Sequence, residues 1–446
     1  MSSHTAEGNQ GDMDRRRTRG ALRARRKPSS GHHVLLVTHH YAPETGAPQR
    51  RWGALVARFV SAGVDVSVLT PPPHYPSGTL APGSAELRPG TVSRGAHGER
   101  IIRVHYREHT TGLVSRTADH LVAAISSIGL GLRRLRRRTH RPTVVIGTVP
   151  GIPSMFAAWA LARIFRAALV VEMRDAWPDL IRPSGIMTGS LAQRRPGRAF
   201  ATTLAHRVIT RLQSRADLVV TTTETFADVL RSRGARNVAV VRNGTAFPVV
   251  SRPVVVPGTD LEPRPFRVVY AGTLGRSQGL EVAVRAAAVV ESRGLPIEVR
   301  IVGAGNDAAQ LAALARSLGA PVTVGPPIPH TEIEALYEWA DTLVVSLRDW
   351  EPFQWTVPSK LYEVMASGHH VTACVAGESA ELVLALEAGD VVPPGDVEAL
   401  ANLWAGYAES GVAPVASRAA SAWVAIHAND DVLAATYLSL LDDLAR

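Results

Sequence analysis

The chain alternates short apolar runs with helical patterns in two long series, and this alternation restricts the fold more than any other feature of the sequence. In the first series Val34–Thr38 is followed by a loop, a periodic segment from Arg50 to Ala62 and a second apolar run, Val64–Leu69. This strand–helix–strand order predicts a parallel sheet whose ligands bind at the carboxyl ends of the strands. Further strands are predicted at Arg100–Tyr106, Val144–Gly147, Leu169–Glu172, Leu218–Thr221 and Ala239–Val241.

A stretch rich in proline, from 246 to 265, separates the two series and is typical of a linker. The strands predicted beyond it are Arg267–Tyr270, Ile297–Val302, Pro321–Val324, Thr342–Ser346, Val371–Cys374 and Val391–Val392. The helices predicted beyond it are Leu280–Arg293, Asn306–Leu318, Thr331–Trp339, Glu398–Glu409 and Asp430–Ala445. The expected class is therefore α/β, with two doubly wound Rossmann-like domains. The predicted divisions are a tail at 1–32, a first domain at 33–246, the linker at 247–265, a second domain at 266–429 and a final helix at 430–446.

Length and cysteine content limit the classes of protein further. A chain of 446 residues with 46% hydrophobic residues can bury the cores of two domains. The single cysteine, Cys374, excludes an intramolecular disulfide and a multi-cysteine metal cluster, which fits a reducing compartment, and the cytoplasm is expected. No signal-peptide core and no uninterrupted apolar run long enough to span a bilayer is found, so neither is predicted.

The net charge of +10 is concentrated in two places. Residues 1–28 hold eight basic side chains against three acidic ones and almost no large apolar residues, so this tail is expected to be disordered. It is interpreted as a nucleic-acid arm, a membrane-surface arm or a merely solvated tail. The apolar run Leu121–Leu132 is followed by a second arginine cluster. That pattern suits a helix on an anionic bilayer surface, and it also suits a core helix with a basic carboxyl end.

The segment Glu351–Gly368 carries the strongest signal of a binding site. Ser359 follows a loop with two prolines and precedes good helix formers, so it is predicted to cap a helix. The free amides at the amino end of a helix hold phosphate well. Lys360 lies in the first turn and Glu363 one turn further on, so phosphate and ribose could be held together. The alternative is an ordinary surface helix with a serine cap.

Two loops of the first domain provide further candidates. Asp175 lies at the predicted carboxyl end of a strand, where a carboxylate can accept a proton or stabilise a developing positive charge, although a helix cap or a surface ion pair fits equally well. Gly46 would let the backbone approach a substrate. His39 and His40 are adjacent at a predicted strand end and are expected to point to opposite sides, which argues against a shared metal. With no Asp-x-Asp pair at a strand end and no ligand spacing of His or Cys, no metal site is predicted.

Several segments together resemble the GT-B fold glycosyltransferases of the large retaining group called family 4. The matching segments are HHYAPETGAPQRR at 39–51, EMRDAWPDL at 172–180, RNG at 242–244, YAGTLGRSQGLE at 270–281, VGAG at 302–305, ADTLVVSL at 340–347 and VPSKLYEVMASG at 357–368. They are most similar to the bacterial branch that builds surface polysaccharides and includes the N-acetylfucosamine transferases. The resemblance spans about residues 33–440 and implies two domains that face each other across a cleft.

The resemblance assigns roles to individual residues of the second domain. Glu363 resembles the second glutamate of the family's Glu-x7-Glu motif, which holds the ribose hydroxyls of the nucleotide. Trp355 stands where the first glutamate belongs, and Glu351 on the same loop is the candidate substitute. Thr273 and Gln278 stand where many relatives carry an Arg and a Lys for the diphosphate.

We therefore expect Arg276 and Lys360, with the amides of Ser359 and Lys360, to supply the charge that the departing diphosphate needs. Gly272, on the loop that carries Arg276, is assigned to donor binding as well. In the first domain Gly46 resembles the glycine that lets a loop approach the donor. Asp175 falls where many relatives place a catalytic-site histidine.

The implied reaction is transfer of a sugar from a nucleoside diphosphate sugar with retention at the anomeric carbon. Protein cations and helix dipoles would take the place of Mg²⁺, and no cofactor is expected. The resemblance places the acceptor, a glycan or a polyprenyl-linked sugar, on the first domain. The arginine clusters make an anionic surface at the inner face of the membrane a candidate further partner. A nucleotide-sugar 2-epimerase or a phosphorylase on the same architecture remains an alternative. A nucleic-acid binder fits less well, because aromatic residues are only 5% of the chain.

Overall fold

The computed structural model describes residues 32–75, 77–84, 86–110, 113–181, 196–250 and 264–444. The predicted basic tail lies outside the described residues, apart from residue 32, and so does most of the predicted linker. The expected fold class is confirmed: the described chain forms two parallel-sheet domains of the doubly wound kind.

The first domain is built on an eight-stranded sheet in the order β3-β4-β2-β1-β5-β6-β7-β8. Its strands are β1 (His33–Val37), β2 (Asp65–Thr70), β3 (Val92–Arg94), β4 (Arg100–Arg103), β5 (Val144–Thr148), β6 (Ala168–Met173), β7 (Leu218–Thr221) and β8 (Val238–Val240). All neighbours pair in parallel except β3, which runs antiparallel to β4 at the sheet edge. Sequence reasoning missed β3, because a three-residue strand with exposed ends has no apolar run to reveal it.

Helices cover both faces of this sheet. They are α1 (Ala47–Ser61), α2 (Leu113–Leu135), α3 (Ile152–Phe165), α4 (Pro196–Gln213) and α5 (Glu224–Ser232). Helix α1 packs on one face, whereas α2 to α5 contribute to the core on the other face. Central strands such as β1 and β5 are buried along their whole length, which explains their uninterrupted apolar sequences.

The second domain is built on a six-stranded parallel sheet in the order β11-β10-β9-β12-β13-β14. Its strands are β9 (Phe266–Ala271), β10 (Ile297–Val302), β11 (Val322–Gly325), β12 (Thr342–Ser346), β13 (Val371–Cys374) and β14 (Gly389–Val392). Its helices are α6 (Glu281–Ser292), α7 (Ala308–Leu318), α8 (His330–Trp339), α9 (Ser359–Ala366), α10 (Glu378–Ala385), α11 (Val397–Ser410) and α12 (Arg418–His427). The predictions did not include α10 and α12.

The strand order changes direction between β1 and β5 in the first sheet and between β9 and β12 in the second. At such a point the connections leave toward opposite faces, and a crevice opens at the carboxyl ends of the strands. The loops that follow β1 and β9 therefore lie where ligands are expected in each domain. They contain the candidates Gly46 and Gly272 respectively.

The last helix, α13 (Asp430–Leu444), belongs to the core of the first domain although it follows the second in sequence. The buried ring of Tyr437 lies 6.0 Å from Trp52 and 5.7 Å from Phe59, centroid to centroid. The chain thus crosses between the domains twice, and the predicted final helix is a part of the first domain's packing.

Helix α2 confirms the predicted apolar helix and shows it to be amphipathic. Ala123 and Leu135 are buried in the core, whereas Leu121 and Ile125 are 49% and 70% exposed. Within the described residues, no helix combines the length and the apolar character that crossing a bilayer requires.

Candidate functional site

Helix α9 begins at the predicted place but not with the predicted cap. Its N-cap residue is Pro358, which has extended backbone angles, and Ser359 is the first helical residue. No side chain caps the helix, so the prediction that Ser359 is the N-cap is wrong. Pro358 has no N–H, and its ring fixes φ, so the chain turns into the helix here without a hydrogen bond from a side chain. The Leu361 N–H donates to the Pro358 carbonyl oxygen at 3.0 Å, whereas among the described backbone groups the amides of Ser359 and Lys360 have no such partner. These amides carry the positive end of the helix dipole.

Lys360 and Glu363 form a three-membered cluster with Tyr337 of α8. The Lys360 Nζ lies 2.9 Å from Glu363 Oε1 and 3.2 Å from the Tyr337 hydroxyl, which itself donates to Glu363 Oε1 at 2.9 Å. Burial, with the Glu363 charge as a second cause, raises the pKa of Tyr337, so its hydroxyl stays a neutral donor. Both charged side chains are 24% exposed, so each can still reach a ligand.

The loop after β9 approaches this cluster through Gly272. A Cβ atom at Gly272 would lie 3.4 Å from the Lys360 Cε and 3.1 Å from the Tyr270 hydroxyl. The loop after β9 is also packed against the loop after β10, since a Cβ at Gly303 would lie 1.7 Å from the Gly272 carbonyl oxygen. The structure therefore brings Gly272, Lys360 and Glu363 together at the carboxyl end of β9, as the sequence suggested.

Arg276 is exposed on the same loop, and its carbonyl oxygen accepts a hydrogen bond from Arg348 Nε. Thr273 is also exposed, and Gln278 is half-buried. Among the described residues no hydrogen bond or ion pair joins the Arg276 guanidinium to Lys360 or Glu363. Its proposed part in diphosphate binding is a prediction that depends on the side chain turning toward the helix.

In the first domain Asp175 follows β6 and is half-buried. Burial raises the pKa of Asp175, the neighbouring Arg174 opposes this, and Glu172 adds to it. Arg174 is 8% exposed, and its Nε and Nη1 have no hydrogen-bond partner within the part of the chain that the structure describes. Gly46 is exposed at the N-cap of α1 with extended backbone angles. The three atoms nearest to a Cβ built there all belong to the end of the Gln49 side chain.

A buried ion pair that the sequence did not reveal ties this edge together. Arg51 of α1 donates through Nε to Glu172 Oε1 at 3.0 Å and through Nη2 to the Val241 carbonyl oxygen at 2.9 Å. Both side chains are almost fully buried. Arg51 thus holds α1 against the ends of β6 and β8. The signal was present, because Arg51 ends the segment HHYAPETGAPQRR, but nothing in the sequence identifies its partner.

Trp355 turns toward the first domain. Its ring is stacked on Phe226 of α5, and the Arg233 guanidinium lies 5.5 Å from the ring centroid. The Trp355 carbonyl oxygen accepts a hydrogen bond from Thr223. The position where relatives carry the first glutamate therefore makes a contact between the domains. Glu351 is exposed at the start of the short 3₁₀ turn Glu351–Trp355.

Glu378 makes a second contact between the domains. Its carboxylate accepts from the backbone N–H of Thr225 at 2.8 Å and pairs with Arg242 at 3.1 Å. A carboxylate at the amino end of α5 complements the dipole of that helix. Together with Trp355, this contact holds the second domain against α5.

The expectation that His39 and His40 point apart is wrong. Strand β1 ends at Val37, so the alternation of side chains along a strand does not extend to these residues. Their ring centroids are only 5.0 Å apart, and both lie within reach of His120.

Two family models match the chain, one in each half. Residues 46–244 match the glycosyl transferase 4-like domain, and residues 265–406 match the glycosyl transferases group 1 family. A putative colanic acid biosynthesis glycosyltransferase of Salmonella typhimurium, WcaL, is 30% identical over 195 residues. That match covers 42% of this chain and 46% of the relative, so the chain spans about half the length of the curated relative it matches.

Solved structures share the fold over nearly the whole chain. A sucrose-phosphate synthase of Thermosynechococcus elongatus is 19% identical, with a TM-score of 0.69 over 93% of this chain and 99% of that one. HepE of Anabaena, solved with UDP-glucose, is 16% identical, with a TM-score of 0.60 over 93% of this chain and 100% of that one. At these identities the likeness shows the fold alone.

Proposed function

Since both halves match glycosyltransferase families and the fold is GT-B, the chain belongs to the glycosyltransferases, and we propose that it moves a hexosyl group from a nucleoside diphosphate sugar to an acceptor. The cluster of Lys360, Glu363 and Tyr337 beside Gly272 is the observation that carries this proposal. It combines a cation, a carboxylate and a closely approaching backbone at the carboxyl end of a central strand.

The cluster suits the two parts of a nucleotide. The first-turn amides of α9 and the Lys360 ammonium present positive charge to a diphosphate. Glu363 can accept hydrogen bonds from ribose hydroxyls, and Tyr337 fixes the orientation of its carboxylate. In the absence of donor Lys360 is paired with Glu363, so binding of a diphosphate exchanges one partner of the ammonium for another.

The departure of the diphosphate requires compensation of charge as the bond to the sugar breaks. Lys360, Arg276 and the amides of Ser359 and Lys360 supply it in this proposal, and no metal at the diphosphate is needed. Asp175, at the carboxyl edge of the first sheet, faces the positive charge that develops on the sugar or takes the proton of the acceptor hydroxyl. Retention at the anomeric carbon is what the resemblance to family 4 implies.

The first domain is proposed to bind the acceptor, a glycan or a lipid-linked sugar in the synthesis of a surface polysaccharide. The name of the Salmonella relative, a putative colanic acid biosynthesis glycosyltransferase, supports this pathway class. Leu121 and Ile125 are exposed on α2, which carries Arg133 and Arg134 in its last turn. Such a surface fits the inner face of an anionic membrane, where each basic residue contributes about 1 kcal/mol.

Thermal stabilisation by a panel of UDP-, GDP-, ADP- and TDP-sugars tests donor binding. HepE was solved with UDP-glucose, so the UDP-sugars come first. A ligand at 100 times its dissociation constant adds about 2.7 kcal/mol to the free energy of unfolding. Glu363→Ala should abolish the shift, and Glu334→Ala, an exposed position on α8, should preserve it. If no nucleotide stabilises the parent chain, the proposal fails.

Product analysis separates the transferase from its main alternative. A nucleotide-sugar 2-epimerase converts one free nucleotide sugar to its isomer without any acceptor, whereas a transferase releases nucleoside diphosphate only when an acceptor is supplied. Chromatography of the nucleotide pool with and without an acceptor extract therefore decides between them.

A further inference from the structure

Five histidines and an aspartate meet at the carboxyl edge of the first sheet, away from the α9 cluster of the second domain. They are His39, His40, His74, His109, His120 and Asp119. They come from the loops after β1, β2 and β4 and from helix α2, which are four separate segments. The strands β4, β2 and β1 are neighbours in the sheet, so their loops end side by side.

Three of these side chains direct one atom each to a common point. The Nε2 of His39 lies 2.8 Å from Asp119 Oδ2 and 3.2 Å from the Nε2 of His74. The Nε2 of His74 lies 3.3 Å from the same Asp119 oxygen. All three residues are at most 2% exposed. Two imidazole nitrogens and one carboxylate oxygen, from three separate segments, thus converge in the buried interior.

We infer that His39, His74 and Asp119 bind a divalent transition-metal ion of the zinc type. Zinc is held by imidazole nitrogen and carboxylate oxygen at about 2.0–2.2 Å in a tetrahedral arrangement, which places neighbouring ligand atoms about 3.3 Å apart. The three observed separations lie close to this spacing. An ion can therefore be seated with only small movements of the side chains.

The proton on His74 supports the same conclusion. Its Nδ1 lies 2.8 Å from the carbonyl oxygen of Pro72, which can only accept, so Nδ1 carries a hydrogen and donates it. The Nε2 of the same ring faces the Asp119 oxygen and the Nε2 of His39. A metal-binding histidine has this arrangement, with the second ring nitrogen donating to a backbone carbonyl.

Asp119 has the supporting contact expected of a carboxylate ligand. Its other oxygen, Oδ1, accepts the backbone N–H of Arg107 at 2.9 Å, so Oδ2 is fixed in its direction. His109 is not one of the three grouped ligands, although its Nε2 lies 3.8 Å from Asp119 Oδ2 and its side chain is 10% exposed. Three protein ligands leave one position of a tetrahedral ion for water or another ligand. The ion would fasten the loops after β1 and β2 to α2 at the edge where the acceptor is proposed to bind.

The remaining histidines are the weaker candidates for ligation. His39, His40 and His120 also form a group in which one ligand atom from each lies within 4.8 Å of the others. The ring of His40 is instead engaged with Glu44, at 3.3 Å. The tighter triangle around Asp119 is therefore the proposed site. It does not require metal at the diphosphate, because that group is proposed to bind on the second domain.

Metal analysis of the full-length chain, purified without an affinity tag and without chelator, tests the inference directly. We expect about one zinc per chain by mass spectrometry. After removal of the metal, added Zn²⁺ should raise the melting temperature, and Co²⁺ should give the visible absorption of a tetrahedral site. A chain that holds no metal and does not respond to Zn²⁺ or Co²⁺ overturns the proposal.

Variants locate the site. His74→Gln and Asp119→Asn should each weaken Zn²⁺ binding by at least about 100-fold. His105→Gln, an exposed histidine on the same loop as His109, should bind as the parent does. Circular dichroism and gel filtration establish that each variant is folded. If a folded Asp119→Asn variant retains the metal with parental affinity, the ion is elsewhere and the assignment is wrong.

Discussion

The indole of Trp355 is stacked on the ring of Phe226, with centroids 6.3 Å apart and planes 16° from parallel. One ring belongs to the loop that leads into α9 and the other to α5, so the contact joins the two domains. The resemblance to family 4 would place a glutamate at the position of Trp355. Here an aromatic residue fastens the donor-side loop to the first domain instead. The geometry of the cleft therefore depends on a residue that the family pattern assigns to sugar binding.

Trp355→Ala should loosen the contact between the domains and slow sugar transfer. An aromatic pair contributes about 0.5–1.5 kcal/mol and an exposed cation–π contact about 0.5–1 kcal/mol, so the variant loses most of this anchoring. We expect a larger radius of gyration by X-ray scattering and a fall of about 10-fold in kcat/KM, because misplaced groups react slowly. Trp350→Ala removes a ring that is stacked within the loop, on Phe353, and serves as the matched control. Equal scattering curves for parent and Trp355→Ala would contradict the assignment.

Gly303→Ala should disturb donor binding from a position outside the Lys360 cluster. Gly303 has φ of 155°, and an added Cβ would lie 1.7 Å from the Gly272 carbonyl oxygen, so the loop after β9 must move. The Gly272 carbonyl is a backbone group, and it cannot move aside as easily as the end of a flexible side chain. We expect a loss of stability of more than about 1 kcal/mol and weaker thermal stabilisation by the donor. Chemical denaturation and the nucleotide panel measure the two effects.

Gly325→Ala provides the control for Gly303→Ala. Gly325 ends the neighbouring strand β11, its carbonyl accepts the Gly303 N–H, and an added Cβ there meets no atom within 4 Å. The control should lie within about 0.5 kcal/mol of the parent, as most substitutions without a packing conflict do. Equal losses in both variants would show that the close approach to Gly272 is not the cause.

Asp175→Asn should stabilise the fold while it removes activity. Burial raises the pKa of Asp175 above its ordinary value, so the folded state favours the neutral carboxyl. The stability that this group contributes is fully present below the pKa of the unfolded chain, and it is lost as the pH rises through the folded pKa. At pH 7 the parent carries the cost of an ionised, poorly solvated carboxylate, and the asparagine variant does not.

Melting temperatures at several pH values check this prediction. The advantage of Asp175→Asn over the parent should be largest near pH 7 and should shrink as the pH falls toward the folded pKa of Asp175. Transfer activity should fall by about 100-fold or more, in the range for loss of a general acid or base. A variant that is less stable than the parent at pH 7 would indicate that the attraction between Asp175 and Arg174 outweighs the cost of burial.

Much of the fold was predictable because each buried strand leaves a continuous apolar run in the sequence. Strands such as Ile297–Val302 and Thr342–Ser346 were predicted with their observed bounds. The edge strand β3 was not, because its pairing depends on a partner and not on its own composition. The position of α13 on the first domain could not be read locally either, since an amphipathic pattern shows that a face is buried but not against what.

The candidate site was predictable where it follows from one segment and not where it depends on contacts between segments. The pairing of Lys360 with Glu363 follows from their spacing of three residues in a helix. Tyr337, which donates to Glu363, belongs to a different helix, α8. Phe226, on which Trp355 is stacked, belongs to the other domain. The histidine group was misjudged because strand alternation was extended past Val37 into a loop, where side-chain direction follows from the tertiary structure.

Arg276→Ala and Lys360→Ala, separately and combined, test whether these two cations share the charge of the leaving diphosphate. Lys360 lies close to Gly272, and Arg276 lies on the loop that begins at Gly272, so both side chains can reach the same phosphates. Each single variant should lower kcat by about 10-fold to 100-fold, and the double variant should lose more than either, because the remaining amides of α9 carry only partial charge. Arg285→Ala, a cation of α6, is the matched control.

Turnover that survives undiminished in the double variant would exclude both residues from diphosphate stabilisation. A strongly reduced kcat with unchanged stability and far-ultraviolet spectrum would instead show that the loss lies in the chemical step, where a developing charge needs a fixed positive partner.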